Sequence, residues 1–152
     1  MIKTVTFEKT TYAELPHKFE AGTPNIAGSV GMAAAFDYMN QLDYDAIGSF
    51  EAELLTYATE QLSGIKGMRI IGTGKEKASV ISFLVGDIHP YDLGAIMDKL
   101  GVAVRTGHHC TQPLMDRFGI PGTVRASFAF YNNKEDIDRL VKAVDRGAGM
   151  LG

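Results

Sequence analysis

Tryptophan is absent from the 152 residues and cysteine occurs once. A single thiol excludes an internal disulfide framework and any zinc site made of cysteine alone, and it fits a reducing compartment such as the cytoplasm. No apolar run approaches the ~18 residues of a membrane span. The opening MIKTVTFEKT lacks an apolar stretch, so no signal peptide is expected. Excess charge is missing too: the formal net charge is −3. That removes the basic footprint a nucleic acid or an anionic membrane would call for. Charged residues are 22% and hydrophobic residues 45%. This is too little charge for a coiled coil and too much apolar content for a disordered chain. The length suits one domain of roughly 100–200 residues.

What is present reads as alternating helices and strands. Residues 1–27 have no helical periodicity; 4–7 suit a short strand, and Gly22 and Pro24 make 19–25 a loop. Met32, Ala35, Phe36 and Met39 recur at helical spacing, as do Phe50, Leu54, Tyr57 and Ala58, with a stop at Gly64. Strands are expected at 69–71, 80–85, 102–106 and 122–131. In the last of these, Val124, Ala126, Phe128 and Phe130 share one face and Thr123, Arg125, Ser127 and Tyr131 the other. A helix is expected from Pro90, with Leu93, Ile96, Met97 and Leu100 as its apolar side. A final helix opens after Asn133 and packs through Ile137, Leu140, Val141 and Val144. The fold class is α/β (α+β), helices covering a small sheet.

The segment RTGHHCTQP at 105–113 is the richest in chemistry. A strand enters a glycine turn, two histidines and the cysteine follow, and Pro113 marks the first turn of a short helix. A helix N-terminus and two imidazoles both favour the nucleophilic form of Cys110. The competing reading is a buried cysteine acting as a small hydrophobe. A zinc site would need His108, His109 and Cys110 to converge with His17 or His89, and that spacing is not diagnostic, so no metal is expected. Arg125 and Arg105, each on a strand, suit capture of a carboxylate; as isolated residues they read better as surface arginines on an edge strand. Gly72-Thr73-Gly74-Lys75 fails the spacing of a phosphate loop and is read as a turn. Gly22 and Thr23 offer a backbone N–H and a hydroxyl, the parts of a small anion nest.

The runs VAVRTGHHC at 102–110, QPLM at 112–115, RASFAFYN at 125–132 and FEAGTPN at 19–25 resemble cysteine desulfurases of the SufS type, pyridoxal-phosphate enzymes of the class V aminotransferase family. The resemblance runs through essentially the whole chain and implies the small C-terminal domain of a fold-type I transferase, with a mainly antiparallel sheet covered by helices. It implies a division into residues 1–27, a strand and loop left from the cofactor domain, and 28–152, the small domain with the cysteine loop. The family's lysine setting, Ser-x-His-Lys, is not found here. The resemblance therefore implies part of an enzyme, inactive alone and without bound cofactor. In the full enzyme, a homodimer, L-cysteine is the substrate, Cys110 carries the persulfide, alanine leaves, and an acceptor protein takes the sulfur toward iron–sulfur assembly. Arg125 would hold the substrate carboxylate, Arg105 and His108 would line the site, and Thr23 with Gly22 would face the cofactor phosphate of the partner subunit. A standalone persulfide carrier, or a module that recruits a partner without pyridoxal phosphate, is the alternative.

Overall fold

A computed structural model describes residues 1–152. The chain forms two compact units, Met1–Asp43 and Tyr44–Gly152, where the sequence reading placed a division between 27 and 28.

In the first unit, β1 (Ile2–Val5) and β2 (Thr10–Tyr12) form an antiparallel hairpin. The strand expected at 4–7 ends early because Thr6 begins the turn: its Oγ1 accepts from the N–H groups of Glu8 and Lys9. The second strand carries no alternation that the sequence reading used. Helix α1 (Ile26–Met39) follows Pro24 and is capped by Asn25, whose Oδ1 accepts from Gly28 N–H at 2.9 Å. Its composition is apolar nearly all round, and none of its residues is buried.

The second unit is built on a four-stranded antiparallel sheet in the order β3-β4-β6-β5. These strands are β3 (Met68–Ile71), β4 (Val80–Val85), β5 (Arg105–Gly107) and β6 (Thr123–Ser127). Pleat parity sorts their side chains. Ile81, Phe83 and Val85 of β4 and Val124 and Ala126 of β6 point to one face and are buried. Against that face lie α2 (Tyr44–Ser63), α3 (Pro90–Lys99) and α5 (Lys134–Leu151), through Leu54, Ala58 and Leu62, Leu93 and Met97, and Ile137, Leu140 and Val144. Arg125, with Thr123 and Ser82, belongs to the opposite face.

Local chemistry sets the ends. His89 caps α3 ahead of Pro90, and Asn133 makes a reciprocal capping box with Asp136 at the start of α5. Two expected strands are shorter than their hydrophobic pattern. The strand expected at 102–106 is displaced to Arg105–Gly107, because Val102 N–H is taken by the carbonyl of Met97 at the end of α3, 3.0 Å away. The strand expected at 122–131 stops at Ser127. Ala129 N–H bonds to Asn132 Oδ1 and Asn132 N–H to the Ala129 carbonyl, which curls the chain into a turn. A further correction concerns position in the sheet. Strand β6 lies between β4 and β5, so Arg125 is not on an edge.

Candidate active site

Strand β5 runs directly into the cysteine loop, and two glycines make the entry possible. Gly107 has φ +109°, and a Cβ there would stand 2.6 Å from Tyr91 Oη. Gly122, just before β6, has φ +151°, and a Cβ there would stand 2.6 Å from the carbonyl carbon of Gly107. Only glycine lets the two backbones come so close.

Beyond Gly107 the loop is tied to itself. Thr111 donates to the His108 carbonyl through both its N–H, at 2.9 Å, and its Oγ1, at 2.7 Å. Cys110 N–H donates to His108 Nδ1 at 3.1 Å. That nitrogen therefore carries a lone pair, and the proton of a neutral His108 sits on Nε2. His109 and Cys110 have φ of +54° and +62°, and they alone among the non-glycine residues have positive φ. Such a backbone costs an L-residue roughly 1–2 kcal/mol. The two side chains of this pair meet different surroundings. The thiol of Cys110 is exposed, with Arg105 Nη2 at 3.9 Å from Sγ. The ring of His109 turns inward, where Nε2 meets Thr123 Oγ1 at 2.9 Å. Helix α4 (Gln112–Phe118) then starts with Pro113 in its first turn, as expected.

The arginines gain meaning from register. Arg105 and Arg125 are directly opposed in the β5–β6 ladder, so their side chains leave the same face of the sheet. Like charges directly across a sheet repel. Neither guanidinium has a carboxylate within ion-pair distance, and Arg125 Nε is buried without a hydrogen-bond partner. Two cations left facing each other, one with an unmet donor, form a receptor for an anion.

His109 belongs to the same electrostatic neighbourhood. Burial pushes its imidazole below the ordinary histidine value and Arg125 pushes it the same way. The hydrogen bond to Thr123 opposes them, while Arg105 and His108 add smaller downward effects. Together these effects favour the neutral imidazole. Its Nδ1 is buried and unpartnered. An orphaned N–H is rarer than an unused lone pair, so the proton is on Nε2 and is donated to Thr123.

The structure thus brings Arg105, His108, Cys110 and Arg125 together, while Gly22 and Thr23 lie in the other unit, on an exposed loop where Gly22 has φ +76°. His109 and Cys110 face different ways, and nowhere do three His, Cys, Asp or Glu side chains converge as metal ligands. The sequence reading missed Thr123 and the inward ring of His109. Both depend on a pairing across strands, and the glycine at 107 was the one local signal of a close approach.

Residues 1–140 match the family described as Aminotransferase class-V. A probable cysteine desulfurase of Xylella fastidiosa (strain Temecula1 / ATCC 700964) is 48% identical over 152 residues, all of this chain and 36% of that protein. A probable cysteine desulfurase of Staphylococcus aureus (strain N315) is 50% identical over 145 residues, 95% of this chain and 35% of the relative. Among solved structures, the cysteine desulfurase CsdA (S-sulfonic acid) from Escherichia coli matches with a TM-score of 0.84 at 38% identity, over 100% of this chain and 38% of that one. The apo cysteine desulfurase from Thermococcus onnurineus NA1 matches with a TM-score of 0.82 at 37% identity, over 99% of this chain and 38% of that one. The chain therefore spans little more than a third of the length of the proteins it resembles.

Proposed function

Because the chain belongs to the aminotransferase class-V family, we propose that it is the sulfur-receiving part of a cysteine desulfurase, in which Cys110 takes sulfur from L-cysteine as a persulfide. The observation that carries this reading is the juxtaposition of an exposed thiol with an unpaired arginine pair. Arg105 reaches Sγ and stands directly across from Arg125. A thiolate nucleophile and a carboxylate anchor are the two things a reaction on a cysteine substrate requires of a protein.

In this reading Arg125 holds the substrate carboxylate and Arg105 steadies negative charge on sulfur. His108 keeps the loop closed by accepting from Cys110 N–H. The family implies pyridoxal phosphate in the full-length enzyme. This chain's residues fit the edges of such a site: the arginine pair for a carboxylate, and Gly22 with Thr23 for a phosphate on the partner subunit. Attachment would come from elsewhere in the full-length enzyme, since the Ser-x-His-Lys setting is not among these residues. When bound, that group supplies an electron sink for breaking the carbon–sulfur bond. The chain's own contribution is to orient substrate and present the thiolate that accepts the sulfur. The persulfide then passes to an acceptor protein for iron–sulfur assembly in the cytoplasm, the full-length enzyme acting as a homodimer. The SufS-type loop, the domain division at 27/28 and the inactivity of the chain alone belong to the same proposal. No helix of this chain is long and apolar enough to cross a membrane.

The test uses the full-length enzyme that contains this sequence, incubated with L-cysteine and analysed by intact mass. Cys110 is expected to gain one sulfur atom as alanine appears in equal amount, and Cys110→Ser to abolish both. Alanine release without sulfur on Cys110 would refute the role of the loop.

A further inference from the structure

The left-handed pair His109–Cys110 is a costly backbone with no glycine to ease it, so something must hold it. We propose that His109 is a positioning residue for Cys110: its ring, anchored on the buried Thr123, fixes the left-handed pair and thereby the direction of the thiol. This deepens the reading of Cys110 as the sulfur acceptor and rests on it.

The anchor is rigid. Thr123 is 1% exposed and is the single polar side chain in the buried set. It sits on an interior strand, directly opposite Gly107 in the β5–β6 ladder and two residues before Arg125. The bond from His109 Nε2 to Thr123 Oγ1 therefore runs from the middle of the loop back to the strand that carries the carboxylate anchor. The two histidines then divide the work. His108 bonds within the loop, and its internal hydrogen bonds shape the turn without tying it to the sheet. His109 supplies that tie. A threonine hydroxyl with almost no access to water gains most from a partner when the alternative is an unmet polar group. The same bond gives Thr123 Oγ1 a partner and aims the neighbour of His109 outward toward Arg105.

The test needs no cofactor and uses the 152-residue chain. The rate of Cys110 alkylation by iodoacetamide near neutral pH is measured for the wild type, Thr123→Ser, Thr123→Val, His109→Asn and the double variant His109→Asn/Thr123→Val. Long-range 15N-edited spectra report the His109 tautomer. Valine has the shape of threonine without the hydroxyl, and asparagine tolerates positive φ without reaching Thr123. Losing the tie releases Sγ from Arg105, so Thr123→Val and His109→Asn are each expected to slow alkylation by about threefold or more, the scale of coupling between contacting residues. The double variant is expected to be no slower than either single one. Thr123→Ser should keep the wild-type rate and the Nε2–H tautomer, and Thr123→Val should lose that tautomer. Unchanged or faster alkylation in His109→Asn, which decides alone if Thr123→Val fails to fold, would overturn the proposal, as would additive effects in the double variant. Failure of the desulfurase reading would show instead as no sulfur gain in the full-length enzyme, with this alkylation pattern intact.

Discussion

Arg125 is where the chemistry of one side chain depends most on its neighbours. Arg105 stands opposite it and its own Nε is unmet, the two features behind the proposal that it anchors a carboxylate. In the full-length enzyme Arg125→Ala should lower kcat/KM for L-cysteine by about 1.5–3 kcal/mol, the worth of a charged hydrogen bond. Steady-state kinetics checks this, and an unchanged kcat/KM would remove the arginine from substrate binding. His109 makes a prediction of opposite character. Its imidazole is held below the ordinary value by burial and then by Arg125. The unfolded chain therefore binds a proton that the folded chain resists, and stability falls as pH drops through the ordinary histidine value of about 6.5. Above that pH the contribution is fully present. Urea titrations across this range should show the loss in the wild type and a smaller loss in His109→Asn. Equal slopes in both would mean that the ring is solvated.

Element ends are set by a few hydrogen bonds that can be removed one at a time. The reciprocal box between Asn133 and Asp136 starts α5, and α5 supplies Ile137, Leu140 and Val144 to the core. Asn133→Ala should destabilise Tyr44–Gly152 by about 1 kcal/mol, read as a shift in denaturation midpoint, while Asn133→Ser should recover most of it. Strand ends obey the same local logic in a form the pattern of apolar residues does not show. Val102 and Val104 look like strand residues, yet Val102 spends its N–H on the end of α3. Phe130 continues the alternation, yet the Asn132 side chain closes a turn around it. Periodicity reports which face a side chain wants; the ladder ends where the backbone finds another partner.

At the scale of the whole molecule the exposed apolar surface stands out. Helix α1 buries nothing, and Ile26, Val30, Met32 and Phe36 are all more than half exposed. Exposed apolar side chains gathered on one helix suit an interaction surface. The chain is expected to self-associate as concentration rises, and Met32→Ser with Phe36→Ser to reduce that association. Sedimentation velocity across a concentration series gives the answer, and a strict monomer in the wild type would contradict it.

The sequence by itself determined the fold class, the helices, the place of the core strands and the candidate residues Arg105, His108, Cys110 and Arg125, because periodicity, caps and a dense local motif are properties of short stretches. It also carried the resemblance to the class V aminotransferase family, which the family match bears out. Tertiary structure alone decided that β6 is interior, that Arg105 faces Arg125, and that His109 turns inward to Thr123 while its neighbour stays outside. Each of these is a relation between strands distant in sequence. Register is set by the packing of the whole sheet against its helices, and a one-residue slip would send every one of those side chains to the other face.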